Sequence, residues 1–516
     1  MGKTAFTSPF PLLTVNRRSG VAAYRQIYTA LREAVLSGRL RAGARLPATR
    51  TLASRLALSR TTVVTAFEQL LAEGYLDGRV GSGTFVAGAV PDDALRAHAG
   101  GRAGTGARRA RAALSRRGTI LAATAASALT DVAPRLFRPG LPALDAFPYD
   151  AWRRLVNRMW HRRPRALLSY SDHAGYRPLR EAIAGYLREV RAVRCDADQV
   201  IVVAGSQQGL DLIARVLLDP GDAVWVEDPG YLGAHGALRA AGARIVPVPV
   251  DAEGLDVNAG AALEPAARLA SVTPSHHYPL GATMSLRRRL ALLRWAQRTG
   301  AWVLEDDYDS EYRYAGRPLA SLQGLDAAGR VIYLGTFSKV LFPSLRLGYV
   351  VAPPGLVNAV VAARALADRE CPTVEQAVLA EFIAEGHFAR HIRRMRTLYA
   401  ERQQALLDAA DRELRGLLDI RPSEAGMHLV GWLPQGIDDR RAASRAAACG
   451  VEAPALSAYR ITPSPRGALL LGYTCAPSAE IRGAVSRLAA ALAGGPGDAR
   501  TNRATRGELP AGIPRR

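Results

Sequence analysis

Lysine occurs twice in this 516-residue chain, at Lys3 and Lys339, whereas 66 of its 68 basic side chains are arginine. Arginine is essentially never deprotonated and makes a poor amine nucleophile. An internal lysine kept against that background points to amine chemistry, with a Schiff base as the leading case. Thr336 and Ser338 precede Lys339 in GTFSKVLFPSLRLGY, and Arg346 follows seven residues on. Upstream, VLEDDYDSEYRY (303–314) crowds acidic residues at the end of an apolar run. A carboxylate placed there must be solvated, paired or used. In VVAGSQQGLDLIARVLL (202–218) the pattern is a strand, a small-residue turn and an amphipathic helix. The N–H groups at Gly205, Ser206 and Gln207 would form an anion cradle. EDPGYLG (227–233) offers Tyr231 as a ring to stack on a flat cofactor. Singly, each segment also reads as an ordinary turn or as core packing. Together they supply a carboxylate for a pyridinium nitrogen, a lysine for an aldehyde and a hydroxyl–arginine cradle for phosphate. Those are the needs of pyridoxal 5'-phosphate.

The elements that must position these residues are legible in the hydrophobic pattern. QVIVVAG, DAVWVED, ARIVPVPV, RLASVTP, AWVLEDD and RVIYLGT each read as a buried strand followed by a turn or helix signal. Such alternation predicts an α/β fold with a mostly parallel sheet and flanking helices, spanning 134–493. Ligands of such sheets gather at the carboxyl ends of strands, where the polar motifs fall.

The first region, 1–87, has a different grammar. Helical periodicity over Tyr24–Ser37, then Thr49–Leu56, then Arg60–Glu73 is followed by YLDGRVGSGTFVA, two short strands around a Gly-rich tip. Three helices and a hairpin make a winged helix-turn-helix. Its third helix would enter the major groove with Ser59, Arg60, Thr61 and Thr62 at the leading end. Arg50 would meet phosphate or a base edge, and the wing tip Gly81–Ser82–Gly83–Thr84 would approach the minor groove. A three-helix bundle with a solvated polar face is the competing reading of the pattern alone. Residues 88–133, with GGRAGTGARRARAALSRRG, read as a flexible basic linker, and 494–516 as a disordered tail.

Composition sets the outer bounds. A net charge of +22 makes double-stranded nucleic acid a plausible partner, although a compositional arginine bias would produce the same sign. Four scattered cysteines, Cys195, Cys371, Cys449 and Cys475, form neither a metal-like CxxC nor a disulfide framework and suit a reducing compartment. With no signal-peptide core and no run of spanning length, the expectation is a cytoplasmic protein without a membrane partner. No metal site is expected.

LPATRTLASRLALSRTTVVTAFEQLLAEGYLDGRVGSGTFV resembles the GntR family of transcription regulators almost end to end. The motifs SYSDHAGYRPLREAIAGYL, VEDPGYLGA, TPSHHYPLGATMS, EDDYDSEYRY and GTFSKVLFPSLRLGY resemble fold-type I aminotransferases. In that order they resemble the MocR-type regulators, which join the two. The resemblance implies that Arg50, Arg60, Thr62 and the Gly81–Thr84 wing touch operator DNA. It also implies that Lys339 carries the cofactor as a Schiff base, Asp306 pairs with the pyridine nitrogen and Tyr308 contacts the ring hydroxyl. Tyr231 would stack on the ring, with Ser206, Gln207, Thr336, Ser338 and Arg346 on the phosphate. Tyr170 would reach the phosphate of a partner subunit, implying a homodimer. Asp306 rather than Asp307 is chosen from the D-x-Y spacing.

Two departures from the aminotransferase pattern stand out. GALLLGYTCAP (467–477) has Leu470 where aminotransferases carry an arginine for the substrate α-carboxylate, with Arg460 and Arg466 as nearby substitutes. Tyr278 stands where asparagine is common. Both favour a regulator that senses pyridoxal phosphate or an amine or amino-acid effector, with little or no turnover. An active aminotransferase with an accessory DNA-binding domain is the alternative, and a DNA-binding protein with an empty vestigial large domain is a weaker third.

Overall fold

The computed structural model describes residues 13–79, 81–88, 114–125, 136–162, 165–314 and 319–494. The chain divides into two compact units, 1–113 and 114–516.

In the first unit, helices α1 (Ala23–Leu36), α2 (Thr49–Leu56) and α3 (Arg60–Ala72) pack around Ile27, Leu31, Leu52, Val63, Phe67 and Leu70. The apolar residues recur at helical spacing, so each helix buries one stripe and leaves the other wet. Ser59 caps α3, its hydroxyl accepting the Thr62 N–H at 3.2 Å. Strands β1 (Leu76–Arg79) and β2 (Gly83–Val86) form the antiparallel wing. The stretch before α2 adds to it, with Leu46 N–H donating to Thr84 O and Val86 N–H to Ala44 O.

In the second unit, an eight-stranded sheet runs in the order β3, β10, β9, β8, β7, β4, β5, β6. These strands are β3 (Val200–Val203), β4 (Ala223–Asp228), β5 (Arg244–Asp251), β6 (Gly254–Leu255), β7 (Leu269–Val272), β8 (Trp302–Asp307), β9 (Val331–Thr336) and β10 (Gly348–Val351). β4, β5, β7, β8 and β9 are parallel to their neighbours in that set, while β10 is antiparallel to both β3 and β9. All six expected strands are present, and their buried Val, Ile and Leu on both faces explain why they read as continuous apolar runs. A smaller antiparallel sheet, β11 (Asp419–Ile420), β12 (His428–Trp432) and β13 (Ala468–Gly472), packs with the helices His387–Glu413 and Ser478–Ala493.

One helix lies where a flexible linker is expected. Arg116–Ala125 is α-helical and packs against the helix Leu232–Ala240. Its second half, TILAATA, is a good helix former that the preceding arginine run obscures. Residues 89–113 and 126–133 of that segment, 134–135 of the expected large domain and 495–516 of the expected tail lie outside the described residues. Among the described residues no helix is long and apolar enough to cross a membrane.

Candidate functional site

Lys339 follows β9 and points back under the loop that carries Gly140. Its Nζ donates to the Gly140 carbonyl at 3.0 Å. Burial lowers the basicity of the amine, and Arg138 lowers it further, while Asp309 and Asp306 oppose the shift. A buried lysine in this state is a better nucleophile than a solvated one.

β8 delivers two adjacent carboxylates to opposite sides of the sheet, as strand alternation requires. Asp307 is engaged. Arg191 Nε donates to its Oδ2 at 3.0 Å and the Tyr333 hydroxyl donates at 2.5 Å. Asp306 is buried too, yet its Oδ1 has no hydrogen-bond partner among the described residues. Burial, reinforced by the charge on Asp307, pushes its carboxyl up to about 7, against the pull of Lys339. An unpartnered buried oxygen facing a lysine is the feature expected of a carboxylate that waits for a cationic ring nitrogen.

Gly205, at φ +96°, turns β3 into the helix Ser206–Leu217. A Cβ there would fall 3.5 Å from Arg346 Nη1, so the guanidinium overhangs the helix start where Ser206 and Gln207 begin it. The Ser338 N–H donates to Thr336 Oγ1 at 3.2 Å. A helix N-terminus, an arginine and hydroxyls make a dianion cradle. Tyr231 caps the helix Leu232–Ala240, and its hydroxyl reaches Gln207 Oε1 at 3.4 Å. A cavity of about 1060 Å³ opens here, lined by Gln207, Tyr231, Tyr278, Arg346, Arg138 and Tyr459 among others.

Tyr308 is placed differently from a lone ring contact. Its hydroxyl lies 3.0 Å from His276 Nδ1, which is also 3.0 Å from Asp309 Oδ2. His276 sits so close to the backbone at Gly426 that any Cβ there would fall 2.0 Å from its ring. Tyr170 is 78% exposed, stacks beneath the Arg369 guanidinium at 5.0 Å, and does not line the cavity of its own chain. Leu470 is fully buried in β13. Arg460 and Arg466 line a separate hollow beside Gly436–Arg440. Gly140 and Arg138 reach Lys339 from a distant segment, whereas Asp309 and His276 stand within EDDYDSEYRY and TPSHHYPLGATMS, where nothing local shows that the two pair.

In the first unit, Arg50, Ser59, Arg60 and Thr61 are exposed at the leading ends of α2 and α3, and Thr62 is half-buried. Gly81, Ser82 and Gly83 are exposed at the wing tip, with Thr84 half-buried. Gly81 and Gly83 both adopt positive φ, +76° and +112°. Two further cations flank the wing. The Arg45 side chain lies against Gly83, and the Arg79 guanidinium covers the Phe85 ring at 4.9 Å.

The profile of "Bacterial regulatory proteins, gntR family" matches residues 23–86, and that of "Aminotransferase class I and II" matches 139–448. The probable rhizopine catabolism regulatory protein MocR of Rhizobium meliloti is 42% identical over 482 residues, which span 93% of this chain and 96% of that protein. The chain belongs to the MocR-type regulators. The HTH-type pyridoxine biosynthesis transcriptional regulator PdxR of Corynebacterium glutamicum is 32% identical over 451 residues, 87% of this chain and 91% of that protein. Among solved structures, the alpha-aminoadipate aminotransferase LysN of Thermus thermophilus, complexed with N-(5'-phosphopyridoxyl)-L-leucine, superposes with a TM-score of 0.66. It is 31% identical, and the match covers 72% of this chain and 96% of LysN. A MocR-type regulator with this large domain takes pyridoxal phosphate, and its GntR domain makes it a DNA-binding transcription regulator.

Proposed function

We propose that this MocR-type protein is a cytoplasmic homodimer that reads a small amine or amino acid, or pyridoxal phosphate itself, at Lys339 and passes the result to operator-bound GntR domains. The observation that carries the reading is the pairing of a buried lysine of lowered basicity with Asp306, whose Oδ1 lacks a partner among the described residues.

When bound, pyridoxal phosphate supplies an aldehyde carbon to which amines add and a ring that withdraws electrons. Lys339 would present its amine to that carbon, oriented by the hydrogen bond that its Nζ donates to the Gly140 carbonyl. Asp306 would pair with the ring nitrogen and favour its protonated form. Tyr231 would cover one ring face. Ser206, Gln207, Thr336, Ser338 and Arg346 would hold the phosphate, and Tyr308 would meet the ring hydroxyl. Tyr170 is assigned to the partner subunit's phosphate, a role that suits its exposure. Trp160, Leu168 and Tyr170, all exposed within one short stretch, supply apolar area for a second copy. Arg50, Ser59, Arg60, Thr61, Thr62 and the Gly81–Thr84 wing are assigned to DNA.

Leu470, buried with Tyr278 and Tyr459 packed about it, favours sensing over sustained transamination. Holoprotein incubated with an amino-acid panel, with and without a keto-acid acceptor, tests this. Binding-dependent spectral changes without turnover are expected, and sustained turnover would replace the sensor reading with an aminotransferase.

A further inference from the structure

β13 lacks a guanidinium at Leu470, yet the cavity has one from another part of the chain. The loop before Gly140 lies directly on β13. The Gly472 N–H donates to the Phe137 carbonyl at 2.8 Å. A Cβ on Gly472 would fall 2.3 Å from the Arg138 carbonyl oxygen and 2.7 Å from the Pro139 Cα. Leu470 and Gly472 share one face of the strand. The absence of a side chain at 472 therefore lets this loop occupy that face, next to the position of the missing arginine.

The same loop runs on to Gly140 and its contact with Lys339 Nζ. Arg138 thus sits between β13 and the lysine, and it lines the cavity beside Tyr231, Tyr459 and Arg346. Its positive charge is among the causes that lower the basicity of Lys339, which places the two side chains within electrostatic reach. Across from it, Glu452 Oε1 lies 3.7 Å from Arg138 Nε, with the two side chains 29% and 21% exposed. At 3.7 Å this contact is longer than a hydrogen bond and makes no bidentate use of the fork. A ligand carboxylate that met the planar fork bidentately inside the cavity would bind it better.

We propose that Arg138 binds the carboxylate of an amino-acid effector in place of an arginine at position 470, with Glu452 as the counter-ion that this carboxylate displaces. The assignment rests on the reading that Lys339 and Asp306 hold the cofactor, because it places the ligand amine towards Lys339.

The test uses the full-length protein loaded with pyridoxal phosphate, with Arg138→Gln, Arg138→Lys and Glu452→Gln beside the wild type. L-Alanine and β-alanine are titrated against ethylamine, which lacks the carboxylate, and L-leucine against isoamylamine. Calorimetry and the visible band of the bound cofactor are the two readouts. In the wild type at least one amino acid should bind about tenfold more tightly than its amine, a difference of about 1.4 kcal/mol. Arg138→Gln should erase that preference, and Glu452→Gln should raise amino-acid affinity severalfold. A wild type with no preference for the carboxylate, or an Arg138→Gln that keeps it, overturns the proposal. Should Arg138→Gln not fold, an unchanged affinity in both Arg138→Lys and Glu452→Gln overturns it equally. A wild type without a visible band would instead defeat the cofactor reading, and calorimetry would still decide the carboxylate preference.

Discussion

Arg191 and Asp307 form an ion pair at 2.8 Å, with side-chain exposures of 4% and 2%. The helix Arg177–Arg191 ends at this arginine, and β8 ends at this aspartate. The pair engages one of two consecutive carboxylates, while Oδ1 of its neighbour Asp306 has no partner among the described residues. The two positions should therefore fail in different ways. Asp306→Asn should keep the fold and lose pyridoxal phosphate affinity by at least about tenfold, the loss of one charge-assisted contact. Asp307→Asn strands the guanidinium of Arg191 in the interior and should cost about 3–5 kcal/mol of stability. Thermal melts beside cofactor titrations separate the outcomes, and equal effects in both assays would refute the division of roles.

Replacement of Lys339 by arginine keeps a cation and removes a usable amine. Lys339→Arg and Lys339→Ala should both abolish the visible absorbance of lysine-bound cofactor. Melting temperatures should stay close to the wild type, because among the described residues the amine makes one hydrogen bond, to the Gly140 carbonyl. A visible band surviving in Lys339→Ala would remove this residue from the chemistry.

On the DNA side, Arg60→Ala should cost about 1–3 kcal/mol on an operator selected from a random pool, with reduced sequence preference. Arg50→Ala should weaken binding more uniformly and reduce the salt slope by about one. Fluorescence anisotropy at several salt concentrations distinguishes a base contact from a phosphate contact. Identical loss of specificity in both variants would contradict this assignment.

Glu227 is buried at the end of β4, where the Thr273 N–H donates to Oε1 at 3.0 Å and the Thr273 hydroxyl to Oε2 at 2.6 Å. Burial nonetheless pushes its carboxyl up from 4.5 to about 8. Between those values the folded chain holds a proton that the unfolded chain has released, so stability falls as pH rises through that window. Glu227→Gln cannot ionise. Its melting temperature relative to the wild type should therefore rise by several degrees between about pH 5 and pH 8. A difference that does not change with pH would mean that the carboxylate is ionised in the fold throughout.

Much of the architecture was readable because a buried parallel sheet writes itself as short Val/Ile/Leu runs. β10 escaped as a separate strand. Its four residues, GYVV, lie at the end of the stretch read for its cofactor residues, and their place between β3 and β9 identifies them as a strand. The choice between Asp306 and Asp307 rested on spacing alone. What distinguishes the two in the structure is Arg191, 116 residues from Asp307, where no local pattern can show it. His276 and Arg138 were likewise beyond reach, since each meets the site only through tertiary packing. The turn from β3 into the helix Ser206–Leu217 was legible for the opposite reason. A strand, a glycine and a helix start are contiguous in the chain.

The loop after β4 ties the two sheets of the large unit together. Asp228 accepts the N–H groups of Ile461 at 2.8 Å and Thr462 at 2.9 Å, and the Gly230 N–H donates to the Tyr459 carbonyl at 3.0 Å. Tyr231 follows in the same loop, and Tyr459 lines the cavity from the far side. The two walls are thus fastened to each other at Tyr459 itself and one residue from Tyr231, like the arms of tweezers joined near the points. A ligand wide enough to part Tyr231 from Tyr459 must drag the segment 456–462 with it or break this fastening.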